Sequence, residues 1–454
     1  MTRRCLLVNP WIHDFAAYDY WLKPLGLLQL GGILRALGVE VTLVDCLNPR
    51  PQAGLKDPFV KVPPRRWGGH GKFPRTPVAA PSPLRGLGRP YARYGISPLF
   101  FRELLRRVPR PDAVFVTSSM TYWYPGVREA ISEIRAHFGG VPVVLGGVYA
   151  TLCPVHARTC GADLVLPGPV EDHLDLLLGE VLDLQVCLPF DPADLDALPY
   201  PAWDLLGYPD QLPLLTSRGC PYGCTYCASR HLYPFFRRRN PAGVLKEIRH
   251  WAERLKVRHF SVYDDAFLVA PETTALPLLE EIKNLPDGLF FHCPNGLHLR
   301  EITPQIARAL REANFATLRL GFETADRRRQ RDTGGKASSE DLARAVAYLR
   351  EAGYDGNEIG VYCLCGLPGQ SAAEVRETID LVRSLGARPI VAEYSPIPGT
   401  TLWEEALAAS PYPLAEEPLF QNNTLLPCRG PDLTDETYAE LKRRARQSRH
   451  PVGA

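Results

Sequence analysis

Residues 212–227 read LPLLTSRGCPYGCTYC. The apolar start, LPLLTS over 212–217, has the length and character of a buried strand. The chain then passes Gly219 and presents Cys220, Cys224 and Cys227 at spacings of four and three. Three thiols this close are a metal-ligand pattern, and two ligands suit them. Zinc could be closed by His231, four residues after Cys227, as a structural Cys3His site. An iron–sulfur cluster on three thiolates would instead leave one iron open to chemistry.

The residues beyond this stretch set the fold. Strand candidates recur at 259–265, 289–295, 316–323, 359–366 and 389–396, with helical segments between them. In the first helical segment, Val244, Leu245, Ile248, Trp251 and Leu255 form one apolar stripe. Six βα units over 212–402, without a dinucleotide fingerprint, predict a partial (β/α)6 barrel, whose site lies at the carboxyl ends of its strands. The cysteines leave the first strand at that end, where catalytic groups gather and a structural zinc has no reason to be. Pro234 and Arg237 to Arg239 then lead the chain on toward a helix.

Upstream, the apolar runs 5–9, 41–45, 113–118, 141–147 and 162–168 suit strands buried on both faces. The helix between the first two starts at Pro24 and stops at Gly38, and Val127, Ile131, Ile134 and Phe138 mark another. The expectation for 1–183 is a five-stranded, parallel, doubly wound domain of flavodoxin-like type. Its ligand loops would be 9–23, 117–125 and 146–151. An insertion at 48–100, rich in Pro, Gly and Arg and carrying Trp67, Phe73, Tyr91 and Tyr94, reads equally as a flexible linker or a partly ordered lid. The prolines of 184–211 mark a linker between domains, and 403–454 a C-terminal extension.

Bulk properties bound the function. A chain of 454 residues calls for two or three domains. With 52 Lys plus Arg against 50 Asp plus Glu, the net +2 gives no electrostatic reason to expect nucleic acid or membrane. The N-terminal apolar run is too short for a signal peptide or a membrane span, and twelve cysteines scattered along the chain suit a reducing compartment. A cytoplasmic enzyme is expected.

CPYGCTYC is similar to the CxxxCxxC motif of the radical S-adenosylmethionine (AdoMet) superfamily, including the aromatic before the last cysteine, Tyr226. Asp264-Asp265 with Phe267, LRLGFET around Glu323, CGLPGQ and YSPIPGT resemble that family's later loop motifs. The resemblance implies a [4Fe–4S] cluster on Cys220, Cys224 and Cys227, with AdoMet on the open iron. An electron donor such as flavodoxin or ferredoxin would drive cleavage to a 5′-deoxyadenosyl radical. It also implies that Tyr226, Asp265, Glu323 and Gly366 lie in the AdoMet site. The family's Gly-Gly-Glu is here Tyr263-Asp264-Asp265-Ala266, which leaves the partner of the AdoMet amine open. Plainer roles compete: Asp264 and Asp265 as helix caps, Glu323 as the ion-pair partner of Arg319, and Gly366 as a turn residue. Cys363 and Cys365 read as buried thiols and His292 as a hydrogen-bonded wall residue.

The N-terminal segments LLVNP, VPVVLGGVYATLCP and GADLVLPGPVED resemble the cobalamin-binding subgroup of the same superfamily. That implies a corrinoid whose nucleotide tail meets Gly146 and Gly147, with Ser118 and its neighbours Thr117 and Ser119 as hydrogen-bonding groups. No Asp-x-His-x-x-Gly supplies an axial histidine, and His13 reads as a loop residue. The leading expectation is a cobalamin-dependent radical AdoMet methyltransferase of an unidentified substrate. A radical enzyme of another reaction type with a vestigial cobalamin domain is the second. A zinc-stapled scaffold binding nucleic acid through the insertion and LKRRARQSRH is the third.

Overall fold

A computed structural model describes residues 2–48, 55–207 and 209–447. The chain divides into two compact units: one of residues up to Leu212 with 254–257 and 417–419, the other of the remainder.

The first unit is built on five strands: β1 (Arg4–Asn9), β2 (Glu40–Asp45), β3 (Ala113–Val116), β4 (Val143–Leu145) and β5 (Leu164–Val165). Their spatial order is β5-β4-β3-β1-β2, and every pairing is parallel. The order reverses at β1, as expected of a doubly wound sheet. Cys5, Leu6, Leu7 and Val8 are buried without alternation because β1 has a strand on each side and cover on both faces. At the carboxyl edge, Asn9 donates to Asp45 at 2.7 Å and joins the ends of β1 and β2. Helix α1 (Leu25–Ala36) follows β1 after Pro24, and Gly38 (φ +80°) ends that segment. In α2 (Tyr124–Phe138) the stripe Val127, Ile131, Ile134 and Phe138 is buried as its spacing predicts.

The structure corrects one expectation for this unit and, for the insertion, favours order over a flexible linker. The proline-rich segment 184–211 is not a free linker. Trp203 is fully buried, the Ala202 N–H donates to Leu28 O at 2.9 Å, and Gln29 donates to Pro199 O at 2.7 Å. A Cβ on Gly32 would stand 2.1 Å from Tyr200 O, so α1 carries glycine where this backbone crosses it. The insertion is folded as well, over its described part; residues 49–54 lie outside the described residues. Strands Ile12–Asp14, Ala92–Tyr94 and Arg75–Pro77 form an antiparallel sheet, and Tyr18–Asp19 pairs with Gly71–Lys72. Ile12, Leu47, Phe73, Ala92 and Tyr94 make its core. Prolines and glycines signal turns correctly, but the aromatics between them supply a buried face.

The second unit carries β6 (Leu212–Leu214), β7 (His259–Val262), β8 (Phe290–His292), β9 (Phe315–Glu323), β10 (Ile359–Cys365) and β11 (Arg388–Glu393), side by side in sequence order. The pairings from β7 to β11 are parallel. Phe260, Phe291 and Phe315 stack along one face at 5.8 and 5.2 Å. On the alternate face, His292 meets His259 at 3.1 Å and Thr317 at 3.0 Å. The first strand is shorter than expected, because Ser217–Arg218 leaves it to pair antiparallel with Arg237–Arg238.

The C-terminal extension packs on the βα repeat. Helix α4 (Asp435–Arg446) packs on α3 (Ala372–Ser384), burying Leu441 and Ala445 against Val375, Ile379 and Cys365. Arg444 holds Asp380 through two bonds of 2.6 and 2.7 Å, and Lys442 reaches Glu393 at 2.9 Å. Among the described residues no helix is long and apolar enough to cross a membrane.

The contact at Gly32 gives a direct test. Gly32→Val should destabilise the first unit by about 2 kcal/mol or more, since its backbone neighbour cannot rotate away. The readout is the denaturant midpoint of that unit's transition; an unchanged midpoint would show that the 184–211 segment does not pack as described.

Candidate functional site

The site begins at the carboxyl end of β6. Thr216 N–H donates to the Asp264 carboxylate at 2.8 Å, and the hydroxyls of Thr216 and Ser217 each donate to it at 2.6 Å. Burial raises the Asp264 carboxyl to about 6, while these three donors oppose the rise. The next residue, Asp265, accepts the Ser229 hydroxyl at 2.6 Å. Adjacent aspartates thus hold both ends of the cysteine loop, one at 216–217 and the other at 229. Neither caps a helix, as the next helix begins only at Ala275. Asn295, after β8, donates to Tyr263 O at 2.8 Å and to Asp264 O at 3.2 Å, tying a third loop to the same point.

Within the loop, Gly219 turns at φ +79° with Phe235 O too close for a side chain. Cys227 N–H donates to Cys224 O at 3.1 Å, and Cys227 Sγ accepts Ser229 N–H at 3.4 Å. Cys220 and Cys224 are partly buried and Cys227 is exposed. Desolvation in the crowded loop raises Cys220 to about 11 and raises Cys227; both also feel neighbouring thiols and Asp265, and Cys227 feels Lys336. A metal must therefore displace protons to bind them. Among the described residues no three His, Cys, Asp or Glu surround a single metal ion. The His231 ring instead lies against Gly399, so the closed Cys3His arrangement is not assembled.

A second loop presses on the first. Thr225 N–H donates to Thr333 O at 3.4 Å, Leu402 N–H donates to Thr225 O at 2.9 Å, and a Cβ on Gly334 would stand 3.1 Å from Cys224 Cα. Gly334 and Gly335 lead to Lys336, whose Nζ binds Glu323 at 2.8 Å and stands 5.7 Å from the Tyr226 ring centre. Burial works against the lysine's charge, but Glu323 and then the Cys224 and Cys227 sulfurs outweigh it and keep the ammonium protonated. The Tyr226 hydroxyl is pushed well up by burial and by Glu323. Glu323 pairs with Lys336 and not, as in the plainer alternative, with Arg319, whose guanidinium donates to Leu318 O at 2.7 Å. Glu323 holds φ +74°, a left-handed conformation uncommon outside glycine and frequent where side chains must be aimed.

Tyr226, Asp265 and Glu323 are thus brought to the cysteines. Gly366 (φ +88°) stands in a turn closed by Gln370, which accepts its N–H at 2.9 Å. Cys363 and Cys365 are fully buried with raised thiols, and His292 is a wall residue. In the first unit, the Ser118 hydroxyl donates to Gly146 O at 2.6 Å and accepts Ala150 N–H at 3.2 Å. Gly147 (φ +95°) leaves room for Ser118 O, 2.3 Å from where a Cβ would be, while a Cβ on Gly146 would meet Leu166 O at an ordinary 3.8 Å. His13 is held by Glu129 at 2.8 Å. Sequence reasoning missed Lys336 and His298, whose ring lies 4.6 Å from that of Tyr222 and whose pKa falls to about 4 through burial and then Lys336. The glycine pair before Lys336 was the available signal of close backbone approach.

Residues 214–382 match the family model described as the radical SAM superfamily. The matched segment opens on β6 and includes the cysteine loop, Glu323 and Lys336. An uncharacterized methyltransferase of Pyrococcus horikoshii is 26% identical over 68% of this chain and 73% of its own. Cytidylyl-2-hydroxyethylphosphonate methyltransferase of Streptomyces wedmorensis is 24% identical over 89% of this chain and 82% of its own. Among solved structures, the radical S-adenosylmethionine methyltransferase TsrM of Kitasatospora setae, with cobalamin and a [4Fe–4S] cluster bound, superposes with a TM-score of 0.66 at 16% identity. The match covers 100% of this chain and 90% of that one.

Asp264 makes the site's scaffold pH-dependent. The folded state holds its proton more tightly than the unfolded chain, where aspartate titrates near 4, so its contribution is complete below about 4 and is lost as pH rises through about 6. Unfolding free energies of wild type and Asp264→Asn should therefore diverge in the variant's favour between about pH 4 and 6.5, then run parallel. A constant difference across that range would contradict the assignment.

Proposed function

We propose that this protein is a cobalamin-dependent radical AdoMet methyltransferase. The observation that carries the reading is the loop of three thiols clamped at the strand ends beside a largely buried lysine. Three cysteines on a preset loop fit a [4Fe–4S] cluster with one iron left open, and Cys220, Cys224 and Cys227 are its ligands. When bound, the cluster and AdoMet supply one-electron cleavage to a deoxyadenosyl radical, and a corrinoid supplies the methyl group.

The chain's own residues bind, orient and balance charge. Lys336 offers a fixed ammonium to the AdoMet carboxylate and is held in place by Glu323 at 2.8 Å. Tyr226 supplies an aromatic wall beside that ammonium, and Asp265, at the solvent side of the loop, is an acceptor for the AdoMet amine. Asp264 and Asn295 hold the loops around them. The reading of the first unit as a flavodoxin-like, cobalamin-binding domain is supported by its strand order and by the cobalamin-containing TsrM structure. There Gly146, without a side chain, would let a corrinoid tail approach the backbone, whereas Ser118 is occupied in shaping the turn beneath it. A reducing, cytoplasmic setting suits the free thiols.

Anaerobic reconstitution with iron, sulfide, AdoMet and a reductant should yield 5′-deoxyadenosine from wild type and none from the Cys220, Cys224, Cys227 triple alanine variant, which should also lose iron. Retained product would refute the ligand assignment, and a wild-type protein that never acquires corrinoid absorbance would refute the cobalamin half. Lys336→Met should weaken AdoMet binding about tenfold or more, the loss of one charged hydrogen bond, with iron and sulfide content unchanged. Equilibrium dialysis reads the affinity; Lys336→Arg should recover part of it.

A further inference from the structure

The cysteine loop is one-sided in charge as well as rich in thiols. Residues 218–240 contain five arginines, one histidine and no Asp or Glu, in a chain whose charges otherwise nearly cancel. Two of these arginines are spoken for: Arg239 pairs with Glu247 at 2.5 Å, and Arg218 lies over the Tyr233 ring. Arg230 and Arg238 are exposed and meet only neutral groups. Arg230 donates to Pro221 O at 3.3 Å. Arg238 donates to Thr273 Oγ1 at 3.1 Å and Val269 O at 3.3 Å, and covers the Phe236 ring. Arg102 and Arg327, also exposed, are by contrast neutralised by Glu133 and Glu340.

Between these two cations in sequence stands Phe235, 77% exposed. An aromatic of this size left in water costs hydrophobic free energy, and it is held out by a backbone that also closes the Gly219 turn. Arginine and aromatic side chains together are the composition of an interface centre, and uncompensated charge selects and steers a partner of opposite sign. Exposed Cys227 belongs to the same loop.

We infer that Arg230, Phe235 and Arg238 form the docking surface for a small acidic one-electron carrier protein of the flavodoxin type. The inference rests on the radical AdoMet reading and adds where the electron enters. One electron leaves the carrier's fully reduced flavin, which becomes its one-electron-oxidised semiquinone, and the cluster gains that electron. A carrier seated on the loop that bears the ligands brings its flavin next to the electron's destination. Its acidic rim meets the two guanidinium groups, and the apolar surface around its flavin covers Phe235.

The test uses the reconstituted full-length enzyme with an acidic flavodoxin as probe. Wild type should bind it with an affinity that falls with ionic strength. The Arg230→Glu/Arg238→Glu double variant and Phe235→Ala should each raise the dissociation constant about tenfold or more and slow flavodoxin-driven cluster reduction in stopped flow to match. Dithionite, which needs no docking, should reduce the variants and support their AdoMet cleavage as in wild type. The proposal is overturned if wild type does not bind flavodoxin, if the variants bind it unchanged, or if they lose dithionite-driven cleavage equally, which would assign the surface to the fold or the substrate. Failure of wild type to cleave AdoMet with dithionite would instead overturn the underlying reading.

Discussion

The buried carboxylate of Asp264 is the constraint on which the rest of the site depends. A carboxylate with no donors would be costly at this depth, and the three donors it needs come from Thr216 and Ser217, where β6 gives way to the cysteine loop. Satisfying Asp264 therefore fixes the start of the loop. Asp265, one peptide further, fixes its end through Ser229. The spacing of the thiols is set by sequence, but their location is set by this aspartate pair at the end of the neighbouring strand.

The second constraint is charge. Three thiols that would lose protons on binding a metal, together with Glu323, would make the loop strongly anionic, and Lys336 is the cation that the structure places beside them. It reaches them because Gly334 allows its loop to touch Cys224 and because Glu323 turns its side chain at a left-handed φ. The strain at Glu323 thus secures a local arrangement of charge, the usual place for such strain in a folded protein.

Much of the fold is legible in the sequence. Parallel strands covered on both faces are predominantly apolar, so runs such as β1, β3, β4 and β10 announce themselves, and Pro24 and Gly38 bracket α1 by their own backbone chemistry. Composition is what misleads. The prolines of 184–211 and the prolines and glycines of 48–100 do mark breaks in regular structure. A break says nothing about burial, and Trp203, Phe73, Tyr91 and Tyr94 are buried among them. The C-terminal helix looks peripheral in the sequence because its partners, Val375 and Ile379, lie on a helix of the βα repeat whose pattern is complete without it.

By itself the sequence determined that three thiols share one loop, since cysteines at offsets of four and three need no distant partner to be recognised. It also determined the alternation of strands and helices, which follows from local periodicity. Only the tertiary structure decided which charges face the thiols. Glu323 has a nearby cation four residues away in Arg319, yet it pairs with Lys336, because on a strand that ends in a left-handed turn the side chain leaves the direction its neighbours share. Sequence proximity governs backbone conformation, while electrostatic partners are chosen by the three-dimensional approach of loops.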